Sequence, residues 1–257
     1  MRRKYLVYSF TLLFILVLGD KISAQDNQLY TNILKIYVKD GLVDYKNLVG
    51  DKQLDKYLKQ LSETNPDNFS RNEKLAFWIN VYNAFTIQIV RDNYPIESIN
   101  ELSTGGRIIG HLLGKTVWDK VFITINNKNY SLNDIEHKIL RKMDEPRIHF
   151  AIVCASISCP ELLNEAYEAD KIDAQLESQA KIFLNDESRN QIDIENRKAS
   201  ISEIFNWFGE DFGKSNEEIL IYVSKFLSIS LQTDIHKNIK QWEVSFKDYN
   251  WNLNEIK

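Results

Sequence analysis

The chain has 257 residues, 44% hydrophobic and 26% charged, and 32 Lys plus Arg against 36 Asp plus Glu give a formal net charge of −4. That is enough length and apolar content for a sizeable core, and too apolar and balanced a composition for a disordered chain. Nine Gly and four Pro exclude collagen-like and low-complexity chains, the mild acidity lacks the basic face of a dedicated nucleic-acid binder, and two Cys are too few for a disulfide scaffold or an all-cysteine zinc site.

The basic start Met1-Arg2-Arg3-Lys4, the apolar run Tyr5 to Leu18 and the small residues Ser23 and Ala24 together predict an export signal over residues 1–24. An uncleaved anchor is the alternative. No Cys near residue 24 suits a lipid anchor, and no later window is long and apolar enough to span a bilayer. The expected mature protein is a single globular domain over residues 25–257, exported to the periplasm or the exterior, where disulfides persist.

In chain order, Tyr30 to Val38 has helical spacing and Leu42 to Tyr45 reads as extended. Leu54, Tyr57, Leu58 and Leu61 mark a second helix, closed by the polar run Ser62 to Ser70. Arg71 to Asn93 carries apolar residues around nearly its whole circumference and predicts a helix buried on most sides. Its polar exceptions, Glu73, Asn80 and Asn83, fall within about 80° of arc at ~100° per residue. Such a stripe either lines a cavity or braces nearby loop backbone. Ser103 to Lys115 is a Gly-rich loop without the spacing of a phosphate loop.

Trp118 to Ile125 and Lys128 to Tyr130 read as a hairpin around Asn126-Asn127, and Ser131 with Asp134 opens a helix that carries His137. Arg147 to Val153 is almost continuously apolar and predicts a buried strand holding His149. Ser158-Cys159-Pro160-Glu161 predicts the capped start of another helix. Further on, the sequence predicts a helix over 172–184, a hairpin over 191–201, short helices over 202–212 and 217–227, and a strand over 242–249. The expected fold class is α+β: a single domain with a small, mostly antiparallel sheet wrapped by several helices, helix 71–93 central, and helix exceeding strand.

The chemistry concentrates at residues 149–159. A thiol in the first turn of a helix meets unpaired N–H groups and the positive end of the dipole, which stabilise a thiolate and can hold an oxyanion. Cys159 is then the candidate nucleophile, His149 or His137 the base, and Asn80 or another polar residue of the buried helix its orienting partner. Glu73, Asn83, Cys154, Ser156 and Ser158 are the accompanying binding candidates. Two other readings stay open for the cysteines: a Cys154–Cys159 disulfide across four intervening residues, and buried, inert thiols. A zinc site built from His137, His149, Cys154 and Cys159 matches no established ligand spacing, so neither metal nor cofactor is assigned. Ser156 or Ser158 as nucleophile lacks a Gly-x-Ser-x-Gly elbow, and His111 and His236 read as surface residues.

Several blocks, in order, resemble one family. They are Asn72-Glu73-Lys74-Leu75-Ala76-Phe77-Trp78-Ile79-Asn80-Val81-Tyr82-Asn83-Ala84, Ser131-Leu132-Asn133-Asp134-Ile135-Glu136-His137, Arg147-Ile148-His149-Phe150-Ala151 and Cys154-Ala155-Ser156-Ile157-Ser158-Cys159-Pro160. Asn164-Glu165-Ala166-Tyr167 and Phe183-Leu184-Asn185-Asp186 continue them. Over about residues 70–190 the chain is similar to the domain-of-unknown-function family numbered 547. The resemblance implies a widespread domain, often exported in bacteria, without a stated activity. It implies that Glu73, Asn80, Asn83, His137, His149, Ser156, Cys159 and Pro160 stand at motif positions. The arrangement of a Cys at a helix start near a His also looks like papain-like or transglutaminase-like cysteine enzymes, by analogy of arrangement only.

Two functions follow as expectations. One is a cysteine-dependent hydrolase or acyltransferase acting on an amide or ester of the cell envelope, with a peptide or small molecule as substrate. The other is a non-catalytic ligand- or protein-binding domain in which Cys154 and Cys159 form a structural disulfide.

Overall fold

The computed structural model describes residues 24–103 and 116–257. The export signal, the Gly-rich loop and His111 therefore lie outside the described residues, apart from the ends of the first two segments. Helix α1 (Ala24–Tyr37) leads into a two-residue hairpin, β1 (Val38–Lys39) and β2 (Leu42–Val43). One helical turn at Tyr45–Leu48 follows. The apolar stripe of helix α2 (Lys52–Glu63) is Leu54, Tyr57, Leu58 and Leu61, as its spacing requires, and Tyr57 stacks on Tyr30 of α1 at 4.5 Å.

Helix α3 (Arg71–Asn93) is the centre of the larger core. A capping box starts it: the Ser70 N–H donates to Glu73 Oε2 at 2.8 Å, and the Glu73 N–H donates to Ser70 Oγ at 3.3 Å. Leu75 through Ile87 are buried without interruption, so this helix faces protein on every side. Each large apolar side chain covered in this way stabilises the fold by about 1.5–3 kcal/mol.

Strands β3 (Ile123–Ile125) and β4 (Lys128–Tyr130) pair antiparallel through Asn126 and Asn127, both at positive φ (46° and 60°) as a type I′ turn demands. Helix α4 (Asp134–Leu140) is next, then a 3₁₀ turn at Pro146–Phe150. Helix α5 (Ile172–Leu184) has the bounds its sequence predicts. A second core gathers around Phe150 and α5. Its other members are strands β5 (Gln191–Asp193) and β6 (Lys198–Ser202), short helices α6 (Ile204–Trp207) and α7 (Gly209–Phe212), α8 (Asn216–Ser224), α9 (Ile229–Asn238) and strand β7 (Glu243–Lys247). Strand β6 is the middle of this three-stranded sheet, antiparallel to β5 and parallel to β7. The chain is thus α+β, with small sheets, several helices and more helix than strand.

The first strand of the hairpin is shorter than expected, because Val117–Asp119 is a 3₁₀ turn and β3 starts only at Ile123, and two further sequence expectations fail around the cysteines. Residues 147–153 form no strand; the 3₁₀ turn and irregular backbone take that place. A short apolar run does not distinguish a buried strand from other buried backbone. Cys159 starts no helix either, because the backbone from Ser158 to Asp170 is irregular. Its polar groups are satisfied by side chains instead. Asn80 holds both the N–H and the C=O of Tyr167 at 2.9 Å, Thr31 Oγ1 accepts from the Ala166 N–H, and Gln179 and Arg189 donate to the carbonyls of Glu161 and Cys159. Gly41, at φ +74°, lies against Glu161, where a Cβ would come within 2.6 Å of its Cγ.

Candidate functional site

A cavity of about 540 Å³ opens between the two cores. Its polar wall is α4. Ser131 and Asp134 start the helix by reciprocal bonds: the Ser131 N–H donates to Asp134 Oδ2 at 2.9 Å, and the Asp134 N–H donates to Ser131 Oγ at 3.1 Å. The helix then widens into a π turn in which the Arg141 N–H reaches back five residues to the Glu136 carbonyl. Such turns recur at functional sites. Asn133, Glu136 and His137 line the cavity from here.

Glu136 is buried, and the Tyr82 hydroxyl donates to its Oε2 at 3.3 Å. Burial pushes the Glu136 carboxyl up to about 7, and the Tyr82 hydrogen bond offsets part of that rise. His137 Nδ1 accepts from Arg141 Nη1 at 3.0 Å, so the proton of the neutral ring sits on Nε2. Burial first, then the Arg141 charge, holds His137 below the ordinary imidazole value.

His149 comes from the 3₁₀ turn and is clamped between aromatic rings, stacked on Phe208 at 4.3 Å and near Phe212 at 5.3 Å. Its Nε2 lies 2.7 Å from Asp211 Oδ2. Burial lowers the His149 pKa against the pull of that carboxylate. The neutral ring therefore donates from Nε2 and keeps its lone pair on Nδ1. Asp211 also takes a two-pronged bond from Arg141, Nε to Oδ2 at 2.6 Å and Nη2 to Oδ1 at 2.8 Å. These two partners hold its carboxyl well below the usual range, although its partial burial acts the other way.

Cys154 and Cys159 are joined as a disulfide, with Cα atoms 6.1 Å apart, and no described cysteine is free. The expected thiolate at a helix N-terminus is therefore absent on both counts, and the disulfide reading is the one realised. The Cys154 N–H donates to Cys159 Sγ at 2.8 Å, and the Tyr249 hydroxyl points at the same sulfur at 3.3 Å. Between the cysteines, Ala155 takes a left-handed conformation at φ 59°. Both cysteines line the cavity with His149, but no hydrogen bond joins either His to Cys159 among the described residues.

The other sequence candidates divide by location. Asn83 braces backbone, donating to the Ala151 carbonyl and accepting from the Val153 N–H, both at 2.9 Å. Asn80 does the same for Tyr167, and Glu73 caps α3. None of the three lies on the cavity wall. Ser158 Oγ accepts from the Asn250 N–H, and Ser156 Oγ lies 3.2 Å from Cys154 Sγ. The four residues of the discarded zinc reading form no ligand set, because the sulfurs are bonded to each other and His149 faces Asp211. His236 is exposed, as its sequence context suggests.

Sequence reasoning missed the remaining half of the site. Tyr82, Glu136, Arg141 and Asp211 make up the polar network, and Trp118, Trp207, Phe208, Tyr249 and Trp251 form the aromatic wall. Trp207, Tyr249 and Trp251 pack on one another at 4.6–5.5 Å, and Trp118 meets Trp251 at 5.7 Å. Glu136 had a signal, its place beside His137 in a motif block. Asp211 had none, since it lies 62 positions after the His149 it pairs with.

Comparisons with curated proteins and with solved structures find no match. Residues 66–184, which hold α3, α4, α5, His149 and both cysteines, match the sequence model of the family described as protein of unknown function, DUF547.

Proposed function

We propose that the cleft is a binding site for a small organic ligand and that the Cys154–Cys159 disulfide braces its wall. The observation that carries this reading is the joint lining of one cavity of ligand size by Glu136 and His137 of α4 and by a group of packed aromatic rings. The disulfide supports it by removing the sulfur nucleophile from the resting protein. A stable disulfide also accords with the proposal that the chain is exported through residues 1–24 and works in the periplasm or outside the cell. We take residues 25–257 to be the working domain, with no nucleic-acid partner.

The five tryptophans supply the test. A panel of small aromatic and aliphatic fragments is titrated while the indole N–H signals are followed by NMR. Binding in the cleft shifts the signals of Trp118, Trp207 and Trp251 and leaves those of Trp78 and Trp242 in place. Shifts spread over all five, or none from any fragment, defeat the reading.

The thiol hydrolase or acyltransferase remains a second reading, favoured by one observation: Cys159 Sγ already receives two donors, the Cys154 N–H and the Tyr249 hydroxyl. A dithiol reductant would supply two electrons and two protons, leaving two thiols and its own disulfide. Cys159 would then be the better-stabilised thiolate, with the lone pair of His149 Nδ1 as base. Asp211, rather than Asn80, would orient that base. Iodoacetamide labelling before and after reduction tests it. Turnover of an amide or ester only by the reduced protein, lost in Cys159→Ser, is the required result.

A further inference from the structure

We propose that the ligand of this cleft is an organic cation, an ammonium group carried on a small aliphatic or aromatic body; this rests on the cleft being a ligand site. Two independent features converge on it. The first is the aromatic lining. Tyr82, Trp118, Trp207, Tyr249 and Trp251 present several ring systems to one cavity, and ring faces attract cations. Trp207 is 44% exposed, so part of this wall is open to an incoming molecule.

The second feature is an unfilled negative position. Glu136 is buried on the cavity wall, and its hydrogen-bond partner is a neutral phenol, Tyr82. Among the described residues no Lys, Arg or His forms an ion pair with it. A carboxylate buried without a cation is costly, and a ligand that brings the cation removes that cost.

Arg141, the nearest guanidinium by its influence, is already committed. It forks onto Asp211, reaches Glu210 and covers the Phe208 ring at 5.4 Å from the ring centre. The groups that act on Glu136 are Tyr82 from α3, Arg141 immediately after its own helix, Asp211 from α7 and Tyr249 after β7, with His137 beside it in sequence. Both imidazoles are held toward their neutral forms, so neither supplies the missing charge. An anionic ligand would meet Glu136 and Asp211 together, and a neutral one would leave the buried acid unmatched.

The test compares choline with its uncharged carbon isostere, 3,3-dimethylbutan-1-ol, on the wild-type protein at pH 8, following the Trp118, Trp207 and Trp251 indole signals. Choline should bind about tenfold or more tighter than the alcohol. Its affinity should rise between pH 6 and pH 8 as Glu136 ionises, and Glu136→Gln, checked for an unchanged fold by its NMR spectrum, should abolish that rise and narrow the gap between the two probes. Equal binding of the two by the wild-type protein overturns the cation assignment and leaves an apolar ligand site. No response of the three indoles to either probe, together with silence in the fragment panel, overturns the ligand site itself.

Discussion

Asp211 Oδ2 stands 2.7 Å from His149 Nε2 and fixes an imidazole that is otherwise surrounded by aromatic rings. The same carboxylate takes both prongs of Arg141, so one acid on α7 ties the 3₁₀ turn to α4. Asp211→Ala should cost about 2 kcal/mol of stability, because it leaves a buried imidazole without its acceptor and takes the two-pronged acceptor from Arg141, which keeps Glu210 and His137. Asp211→Asn, which still accepts from His149, should cost less. Because the Asp211 carboxyl is held low in the folded protein, its contribution is fully present above the ordinary carboxylate value and is lost as pH falls below that value toward the lower folded one. Urea titrations at pH 7 and at about pH 2.5, below the ordinary carboxylate value, should therefore show the wild type and Asp211→Asn closer in stability at the lower pH.

Glu136 works in the opposite sense. Its carboxyl titrates near 7 when folded, against 4.5 ordinarily, so the folded protein holds a proton that the unfolded chain releases. Stability from this group is full below about 4.5 and is lost as pH rises to about 7, a change of roughly 3 kcal/mol. Glu136→Gln should flatten that part of the stability curve and be the more stable protein at pH 8. An unchanged slope in the variant would remove the burial argument.

Asn83 should matter to the fold and leave ligand contacts alone. Asn83→Ala strands the buried Val153 N–H and removes a donor from the Ala151 carbonyl, for a loss of about 2–4 kcal/mol. Asn83→Asp keeps an acceptor for Val153 but turns a donor into a second acceptor facing a carbonyl. It should be no better than Ala by thermal unfolding.

Replacing both cysteines by Ser should remove roughly 2 kcal/mol, the chain-entropy value for so short a loop, and lower the unfolding temperature. As a brace, the disulfide should leave fragment affinity within about threefold. A much larger loss of affinity would mean that the sulfurs contact the ligand.

The long regular elements were legible in the sequence because their side-chain periods run for many residues. Arg71–Asn93 and Ile172–Leu184 have the bounds their patterns predict, and the Asn126-Asn127 turn follows from its residue types. The cysteine region was not legible. Ser158 followed by Glu161 has the spacing of a helix cap, but the Ser158 hydroxyl serves Asn250, a residue 92 positions away. The irregular stretch exists because Asn80, Gln179 and Arg189 supply from a distance the hydrogen bonds a helix would supply locally. His149 and Cys159 were found from sequence, whereas the acid that holds His149 and most of the aromatic wall lie beyond residue 184, where the family match ends.

The backbone ties around the disulfide turn also bear on how the protein is made. Residues 250–254 run beside 155–158, with bonds from Ile157 to Asn252 and from Asn254 to Ala155, and continue to Glu97 and Val43. A ribosome making this chain releases the motif-rich first two-thirds well before these partners emerge. Until residues 250–254 are made, the disulfide turn therefore lacks the segment that supplies its backbone partners. Removal of residues 250–256 should leave Ala155, Ile157 and Ser158 without their backbone partners and loosen the disulfide turn in the wall of the cleft.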